Sequence, residues 1–317
     1  MDFVRPSILS LIGVIFAFAQ TLANAFTTLD YPGAAFTTPN DINDAGQIVG
    51  DYAGGHGFLY SNGKFTTIDV PGAQFTIALG INNAGQIVGY YRDGTTNHGF
   101  LYSSGKFTTI DVPGADLTGA AGINDAGDIV GWTNHQGFHK VGGTFNTIAV
   151  PDDASGVLTC CTSPDDINAS GQIVGFYVGP PQPWGLHGFL YSGGSYVPID
   201  APGAVSSIGE SSTMARDIND AGHIVGDFSD KAGSHGFAYD GKRFVVIDLP
   251  TDLSTDGTLA TGINNAGEIV GYFYNSGGQH GFLIPEPQVV VMLGVALAAL
   301  RLGWHRKCRC AELSSAG

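Results

Sequence analysis

The chain has 317 residues, including 48 glycines, 19 phenylalanines and 12 tyrosines, and only 13% of its residues are charged. Its formal net charge of −15 argues against binding a nucleic-acid backbone, which requires clustered lysine and arginine. Frequent glycine with many aromatic residues is typical of an all-β repeat protein.

The first 25 residues have the pattern of a secretory signal peptide. Arg5 provides a positive charge, residues 8–19 form an apolar segment, and Ala23-Asn24-Ala25 has the small-x-small pattern of a cleavage site. We therefore predict cleavage after Ala25 by signal peptidase and export of the mature chain.

A nine-residue motif, I-N-x-[AS]-G-x-I-V-G, recurs six times beyond this segment, at starts 39 to 51 residues apart. Six copies indicate a structural unit rather than six active sites. Each copy contains a tight Asn/Gly turn, with glycine in the left-handed region. The predicted turn positions are Asn43 and Gly46, Asn82 and Gly85, Asn124 and Gly127, Asn168 and Gly171, Asn219 and Gly222, and Asn264 and Gly267.

The second unit predicts four short antiparallel strands. The first ends at Ile81, and the others span residues 86–91, 98–102 and 106–112. The second strand is apolar on both sides, as expected where sheets stack face to face. Four strands in about 40 to 45 residues have the size of a β-propeller blade.

The two ends of the repeat region complement each other. Residues 26–31 match the fourth strand of a unit, whereas the last unit stops after its third strand at Ile284. We therefore predict that residues 26–284 form a six-bladed β-propeller of four-stranded blades, closed by pairing of residues 26–31 with residues 280–284. Closure removes exposed sheet edges.

The third strand of each unit begins with a His-Gly-Phe tripeptide, with Gln136 in place of histidine in the third unit. The histidines are His56, His98, His187, His235 and His280. Recurrence predicts a structural hydrogen-bonding role, and the recurring aspartates Asp69, Asp111, Asp200 and Asp248, replaced once by Ala149, are predicted to cap turns. The units resemble the HAF family of extracellular repeats over residues 26–284, which implies an exported repeat protein without a settled activity.

The C-terminal segment, residues 285–310, has a second sorting pattern. Pro285-Glu286-Pro287 precedes an apolar run over residues 289–300 and a basic cluster that begins at Arg301. The run is short for a membrane span, which needs about 20 residues. The segment resembles the PEP-CTERM signal, which implies recognition by an exosortase, transient membrane association and delivery to the cell envelope or matrix. Residues 311–317 are predicted to be a disordered tail.

The sequence contains no pattern that predicts a cofactor, a metal site or a catalytic centre. The Asp41 turn has Ala45 and Tyr52 where a calcium-binding EF-hand loop needs ligands, and no nucleophile, zinc-protease or phosphate-loop motif is present. Adjacent Cys160 and Cys161 could form a vicinal disulfide or two free thiols. Cys308-x-Cys310 has no partner pair for zinc.

The connections that differ between units predict a ligand-binding face. The links between second and third strands, and between units, vary most, and rigidly held loops are common binding sites. The fourth unit departs furthest, so we predict a site around Tyr177, Trp184 and the cysteine pair, with Trp132 in the preceding unit. Aromatic rings on an exported scaffold predict binding of an extracellular polysaccharide.

These observations together predict a non-enzymatic binding or structural module of the bacterial surface. The alternatives are a polysaccharide hydrolase or lyase on a propeller scaffold, which would need convergent acids near the central channel, and a purely structural component of a biofilm or envelope layer.

Overall fold

The computed structural model describes residues 26–134, 136–150, 160–179, 185–205, 211–250 and 257–285, and within these ranges the chain is all β. The predicted signal peptide, residues 286–310 of the sorting segment and the predicted tail of residues 311–317 lie outside the described residues. In the described ranges, no helix is long and apolar enough to cross a membrane.

The strands follow the repeat motif. The first strand and units 1 to 3 comprise β1 (Thr27–Leu29), β2 (Thr37–Ile42), β3 (Ile48–Tyr52), β4 (His56–Ser61), β5 (Lys64–Ile68), β6 (Phe75–Ile81), β7 (Ile87–Arg92), β8 (Asn97–Ser103), β9 (Lys106–Ile110), β10 (Thr118–Ile123), β11 (Ile129–Thr133), β12 (Gly137–Val141) and β13 (Thr144–Ile148). Units 4 to 6 comprise β14 (Cys160–Ile167), β15 (Ile173–Gly179), β16 (Gly185–Ser192), β17 (Ser195–Ile199), β18 (Ser211–Ile218), β19 (Ile224–Ser229), β20 (Ser234–Tyr239), β21 (Phe244–Ile247), β22 (Thr258–Ile263), β23 (Ile269–Asn275) and β24 (Gly278–Ile284).

The described strands form four sheets of four strands and one of eight. The eight-stranded sheet joins units 4 and 5, because the long strands β16 and β18 reach each other through parallel pairs at Gly185–Ser211 and Leu186–Ser212. The number of separate sheets therefore differs from the six predicted. Within each unit, the strands are antiparallel neighbours in chain order, as the pattern predicts.

The predicted pairing of the two ends of the repeat region is confirmed. Strand β1 lies antiparallel to β24, with Thr28 opposite Phe282, and completes the four-stranded sheet of the last unit. A parallel bridge between Phe36 and Gln279 adds a second connection between the first and last units.

The core lies between neighbouring units and is built from the two recurring tripeptides. Each phenylalanine of the His-Gly-Phe tripeptide is at most 2% exposed. Its ring packs over the glycine of I-V-G on the adjacent strand; at Gly89, an added Cβ would lie only 2.9 Å from the Phe100 ring. Glycine is therefore required at this position by close packing, independently of the turn glycines, whose φ angles are positive.

Candidate functional site

The first strand of every unit carries a β-bulge, which turns one extra side chain toward the centre of the molecule. In the first unit, the register shifts between Pro39 and Asp41, so that Asn40 is the extra residue. Bulges commonly re-aim side chains beside functional sites. The bulge residues of the six units are Asn40, Leu79, Ala121, Asp165, Arg216 and Thr261.

A second position, directly after I-V-G on the second strand, faces the same space in the four units where it is aromatic. Its occupants in the six units are Asp51, Tyr90, Trp132, Phe176, Asp227 and Tyr272, and the two aspartates bond to the bulge residues Asn40 and Arg216. Together with the bulge residues, the four aromatic members line a central cavity of about 480 Å³. This volume lies within the range of small-molecule sites. Framework residues repeat from unit to unit, whereas these two positions vary, so the cavity is chemically asymmetric.

One side of the cavity is aromatic. The rings of Tyr90 and Trp132 meet edge to face, with their centroids 5.4 Å apart. Trp132 can lie against the neighbouring strand because residue 119 is glycine, and a Cβ there would overlap the indole. Phe176 provides the third ring, and the guanidinium of Arg216 lies 5.8 Å from its centroid. These rings offer flat apolar surface to a ligand in the cavity.

The side next to Phe176 contains an ion-paired cluster around Arg216. Its Nε donates to Asp227 Oδ1 at 2.8 Å, and its Nη1 donates to Asp165 Oδ2 at 3.4 Å. Burial raises the pKa of Asp165 to about 7, although the positive charge of Arg216 opposes the shift. Two carboxyl groups around one guanidinium leave this side without excess positive charge.

Asp51, in the first unit, is hydrogen-bonded to Asn40, which lines the cavity. Its Oδ1 accepts a hydrogen bond from Asn40 Nδ2 at 3.2 Å, and the same amide donates to the carbonyl of Ala78 at 2.8 Å. Burial raises the pKa of Asp51 to about 6. Its charge adds to burial in raising the pKa of Tyr90, so the carboxyl lies close to the aromatic side.

The six Asn/Gly turns together line a second, narrow cavity of about 70 Å³. Each turn asparagine donates through Nδ2 to the backbone carbonyl of the corresponding asparagine in the next unit, at 3.0–3.3 Å. The series ends with Asn264 donating to Asn43, so it returns to the first unit. These asparagines are 3–5% exposed, and their contacts explain a recurrence that turn geometry alone did not require.

Two carboxyl groups, those of Asp41 and Asp166, line the narrow cavity, and the buried carboxyl group of Asp217 interacts with both. Both oxygens of Asp217 accept backbone N–H bonds, from Ile218 at 2.6 Å and Ile263 at 2.6 Å. Burial raises the pKa of Asp41 to about 7 and raises those of Asp166 and Asp217. Nevertheless, no group of three or more His, Cys, Asp and Glu in the described ranges has metal-binding geometry.

The predicted site residues occupy different environments. Trp132 lines the central cavity, but from strand β11 rather than from a connection. Trp184 lies outside the described residues, as do the processing residues Ala25, Glu286 and Pro287; Pro285 directly follows β24. Cys161 is an exposed free thiol.

The predicted ligand contact of Tyr177 is wrong. The side chain is 4% exposed and packs in the core of the fourth unit, where its ring stacks on His187 at 5.4 Å. Because side chains alternate along a strand, the neighbouring Phe176 faces the cavity and Tyr177 faces the interior. A sequence signal distinguishes the two residues: Phe176 directly follows I-V-G, at a position where the residue type varies between units.

The recurring histidines have the structural role that the sequence predicts. Nδ1 of His56, His98, His187, His235 and His280 bonds to an aspartate at 2.7–3.1 Å, the partner of His280 being Asp30 beside β1. The prediction that the recurring aspartates cap turns is therefore wrong. A threonine at the start of the next unit takes that role, as Thr76 Oγ1 does by accepting the N–H of Val70.

No protein-family model matches the chain, and neither does any curated protein sequence. Solved structures share its fold at low identity. A mutant of AofleA from Arthrobotrys oligospora is 14% identical, with a TM-score of 0.50, over 81% of this chain and 86% of its own. A variant of the Aleuria aurantia lectin in complex with Fucα1-6GlcNAc is 12% identical, with a TM-score of 0.44, over 80% and 98%. TolB from Acinetobacter baumannii is 10% identical, with a TM-score of 0.49, over 89% and 71%. At these identities, the likeness to AofleA concerns the fold alone.

Proposed function

We propose that this chain is an exported, non-enzymatic binding module that holds a saccharide in its central cavity. The observation that carries the proposal is that Tyr90, Trp132 and Phe176 line the same cavity as the ion-paired Arg216. Aromatic faces pack against the C–H surfaces of a sugar ring, while amide, carboxyl and guanidinium groups bond to its hydroxyls.

The charges of the cavity favour a neutral sugar over an acidic one. Arg216 is the one cation among the described lining residues, and it is already paired with Asp165 and Asp227. A uronate or sulfate group would also meet Asp51 nearby. Like charges in a poorly solvated space repel each other strongly, so an acidic polysaccharide is a poor ligand.

The finer architecture that we propose is a closed six-bladed β-propeller. The pairing of β1 with β24 and the hydrogen bonds from Asn264 and Asn265 back to the first unit support closure. In this architecture, each four-stranded unit is one blade, and the cavity lies on the axis.

The HAF-type family, the export and the sorting of the protein are part of the same proposal. Signal peptidase would release a chain that begins at Phe26, and an exosortase would recognise Pro285-Glu286-Pro287. Mass spectrometry of the protein recovered from its native host tests both points. A chain recovered with residues 1–25 intact would overturn the export route.

The binding proposal is tested with the full chain and a set of neutral and acidic polysaccharides, measuring retention by affinity electrophoresis. We expect Trp132→Ala to weaken retention of a neutral polysaccharide at least tenfold. Val141→Ala, at an exposed site on β12, is the matched control and should retain full binding. Equal retention of the parent and Trp132→Ala would overturn the central site.

A hydrolase or lyase is the second candidate. Asp165 lines the cavity and Asp51 is bonded to the lining residue Asn40, and burial raises the pKa of Asp165 to about 7 and that of Asp51 to about 6. Such carboxyl groups are suited to proton transfer near neutral pH. Assaying the same polysaccharides for new chain ends distinguishes the two functions. Cleavage that is lost in Asp165→Asn would favour the enzyme, whereas retention without cleavage favours the binding module.

A further inference from the structure

Five of the six units share a cluster of three side chains near the surface. In the second unit, the Tyr91 ring stacks on His98 at 5.3 Å, and His98 Nδ1 bonds to Asp111 at 3.0 Å. The corresponding clusters are Tyr52–His56–Asp69, Tyr177–His187–Asp200, Phe228–His235–Asp248 and Phe273–His280–Asp30. The same packing therefore recurs in units 1, 2, 4, 5 and 6.

The third unit replaces every member of this cluster with a smaller or uncharged residue. Thr133 occupies the aromatic position, Gln136 the histidine position and Ala149 the aspartate position. Lys140 also replaces a tyrosine that packs on the fourth strand in units 1, 2, 4 and 5, as Tyr102 does on Phe107 at 4.7 Å. The three replacements in the cluster together remove an aromatic ring, an imidazole and a carboxyl group.

A cavity of about 590 Å³ lies beside two of these replacements, and both Thr133 and Gln136 line it. Its opposite wall is the connection between units 2 and 3, residues 112–116. Phe138 and Phe145 form an apolar floor, with their ring centroids 5.5 Å apart. This volume is within the range of small-ligand sites.

The polar groups around this cavity are amides, hydroxyls and one carboxyl group. Asn134 donates to Asp116 Oδ2 at 3.1 Å, and the amide side chains of Gln136 and exposed Asn146 lie along the rim. Of the described residues that line the cavity, Asp116 alone is charged. A ring floor with amide donors and acceptors suits a neutral sugar, whereas an anionic ligand would meet the Asp116 carboxylate. The ammonium group of Lys140 lies outside the lining and donates to the carbonyl of Gly142 at 2.6 Å.

We propose that the third unit holds a second binding site, separate from the central cavity, which takes a neutral sugar residue. The cavity is lined by Thr133 and Gln136, which stand where the other five units have an aromatic ring and a histidine. The proposal does not depend on the function of the central cavity. Two sites on one rigid scaffold would also allow a single chain to engage a polysaccharide at two points, with a gain in avidity.

The decisive variant refills the site with the residues of the other units: Thr133→Tyr, Gln136→His and Ala149→Asp together. The probes are methyl β-D-glucopyranoside, methyl α-D-mannopyranoside, methyl β-D-galactopyranoside and methyl β-D-glucopyranosiduronate. Amide chemical shifts in ¹H–¹⁵N NMR spectra, followed at Gly114 and Gly143 of the rim, report binding. We expect at least one neutral glycoside to shift these signals in the parent chain, and the uronate to leave them unchanged.

In the refilled variant, we expect affinity at these glycines to fall at least tenfold, with an unchanged or raised thermal unfolding midpoint. The matched control places the third unit's residues in the second: Tyr91→Thr, His98→Gln and Asp111→Ala; binding at Gly114 and Gly143 should persist. Asn146→Ala provides a milder test in which the fold is preserved, and several-fold weaker binding is expected. Absence of shifts with all three neutral glycosides, or unchanged binding in the folded refilled variant, would overturn the proposal.

Discussion

Phe176 and Tyr177 are adjacent in the chain but belong to different parts of the molecule. Phe176 is half-buried and lines the central cavity, whereas Tyr177 is 4% exposed and packs among the core residues of its unit. Burial and the nearby charge of Asp200 raise the pKa of Tyr177 to about 12, so its hydroxyl stays protonated at neutral pH. Chemical similarity between neighbouring aromatic residues is therefore a poor guide to function on a strand.

Replacing each of these two residues with alanine should separate binding from stability. Tyr177→Ala removes a buried ring and should lower the free energy of unfolding by about 3 kcal/mol or more. Phe176→Ala should cost less stability but weaken saccharide retention severalfold. Urea unfolding and affinity electrophoresis on both variants check this pair. A loss of binding in folded Tyr177→Ala equal to that in Phe176→Ala would contradict the assignment.

At the scale of the element, the Asn/Gly turn is also a contact between units. The residues that directly follow the turn asparagines form a second series of hydrogen bonds between units, and this series is exposed. Asn83 donates to Asp44 at 2.8 Å and to Asp125 at 3.0 Å, and Asn265 bridges Asp44 and Asp220 in the same way. The alternation of Asp and Asn places each amide between two carboxylates, and Ala169 interrupts it.

Ala169→Asn should complete this series. Its amide would lie between Asp125 and Asp220, and we expect the free energy of unfolding to rise by about 1 kcal/mol, as for an ordinary hydrogen bond. Ala126→Asn, at an exposed turn position outside the series, is the control and should have little effect. Thermal and urea unfolding measure the difference. No gain over the control would show that the bridging amides contribute little.

At the scale of the whole molecule, β1 joins the two ends of the repeat region. Leu29 is 3% exposed and packs with the core of the first and last units, whereas Thr28 on the same strand is exposed. Leu29→Ala should lower the free energy of unfolding by about 2–5 kcal/mol, in one cooperative transition. Thr28→Ala should change it little. A separate early transition, or no change for Leu29→Ala, would contradict a stabilising role for the pairing of β1 with β24.

The stability of the molecule should depend on pH in an unusual direction. Burial raises the pKa of Asp51 to about 6 and those of Asp41 and Asp165 to about 7. Between about pH 4 and pH 7, the folded chain therefore holds protons that the unfolded chain has released, and the free energy of unfolding falls as pH rises. Carboxylates at His98 and His235 outweigh the lowering effect of burial and raise the pKa of both histidines, which adds to this decline.

Asp51→Asn tests this dependence because Oδ1 of the new amide can still accept from Asn40. We expect the thermal midpoint of the parent to fall between pH 5 and pH 8, and that of Asp51→Asn to fall less. Differential scanning calorimetry at four pH values measures both slopes. Parallel slopes would mean that Asp51 is not protonated in the folded chain near pH 5.

Much of the fold follows from the sequence because its signals are local. The turn glycines, the strand alternation and the complementary ends predict the units, their antiparallel order and the pairing of β1 with β24. The partners of the recurring residues were harder to predict, since His98 and Asp111 recur separately along the chain and their coupling emerges only when the strands pair. The simultaneous absence of histidine and aspartate in the third unit was a sequence signal for that coupling.

The sequence by itself determined the repeat, its strands and the complementarity of its ends, because each depends on short-range patterns of glycine and apolar residues. Only the tertiary structure decided which side chains share the central cavity. A β-bulge in each unit turns Asn40, Arg216 and their counterparts toward one cavity, and units 2 and 3 must pack together before Trp132 meets Tyr90. The candidate site is therefore a property of the assembled units, formed from residues that are far apart in the chain.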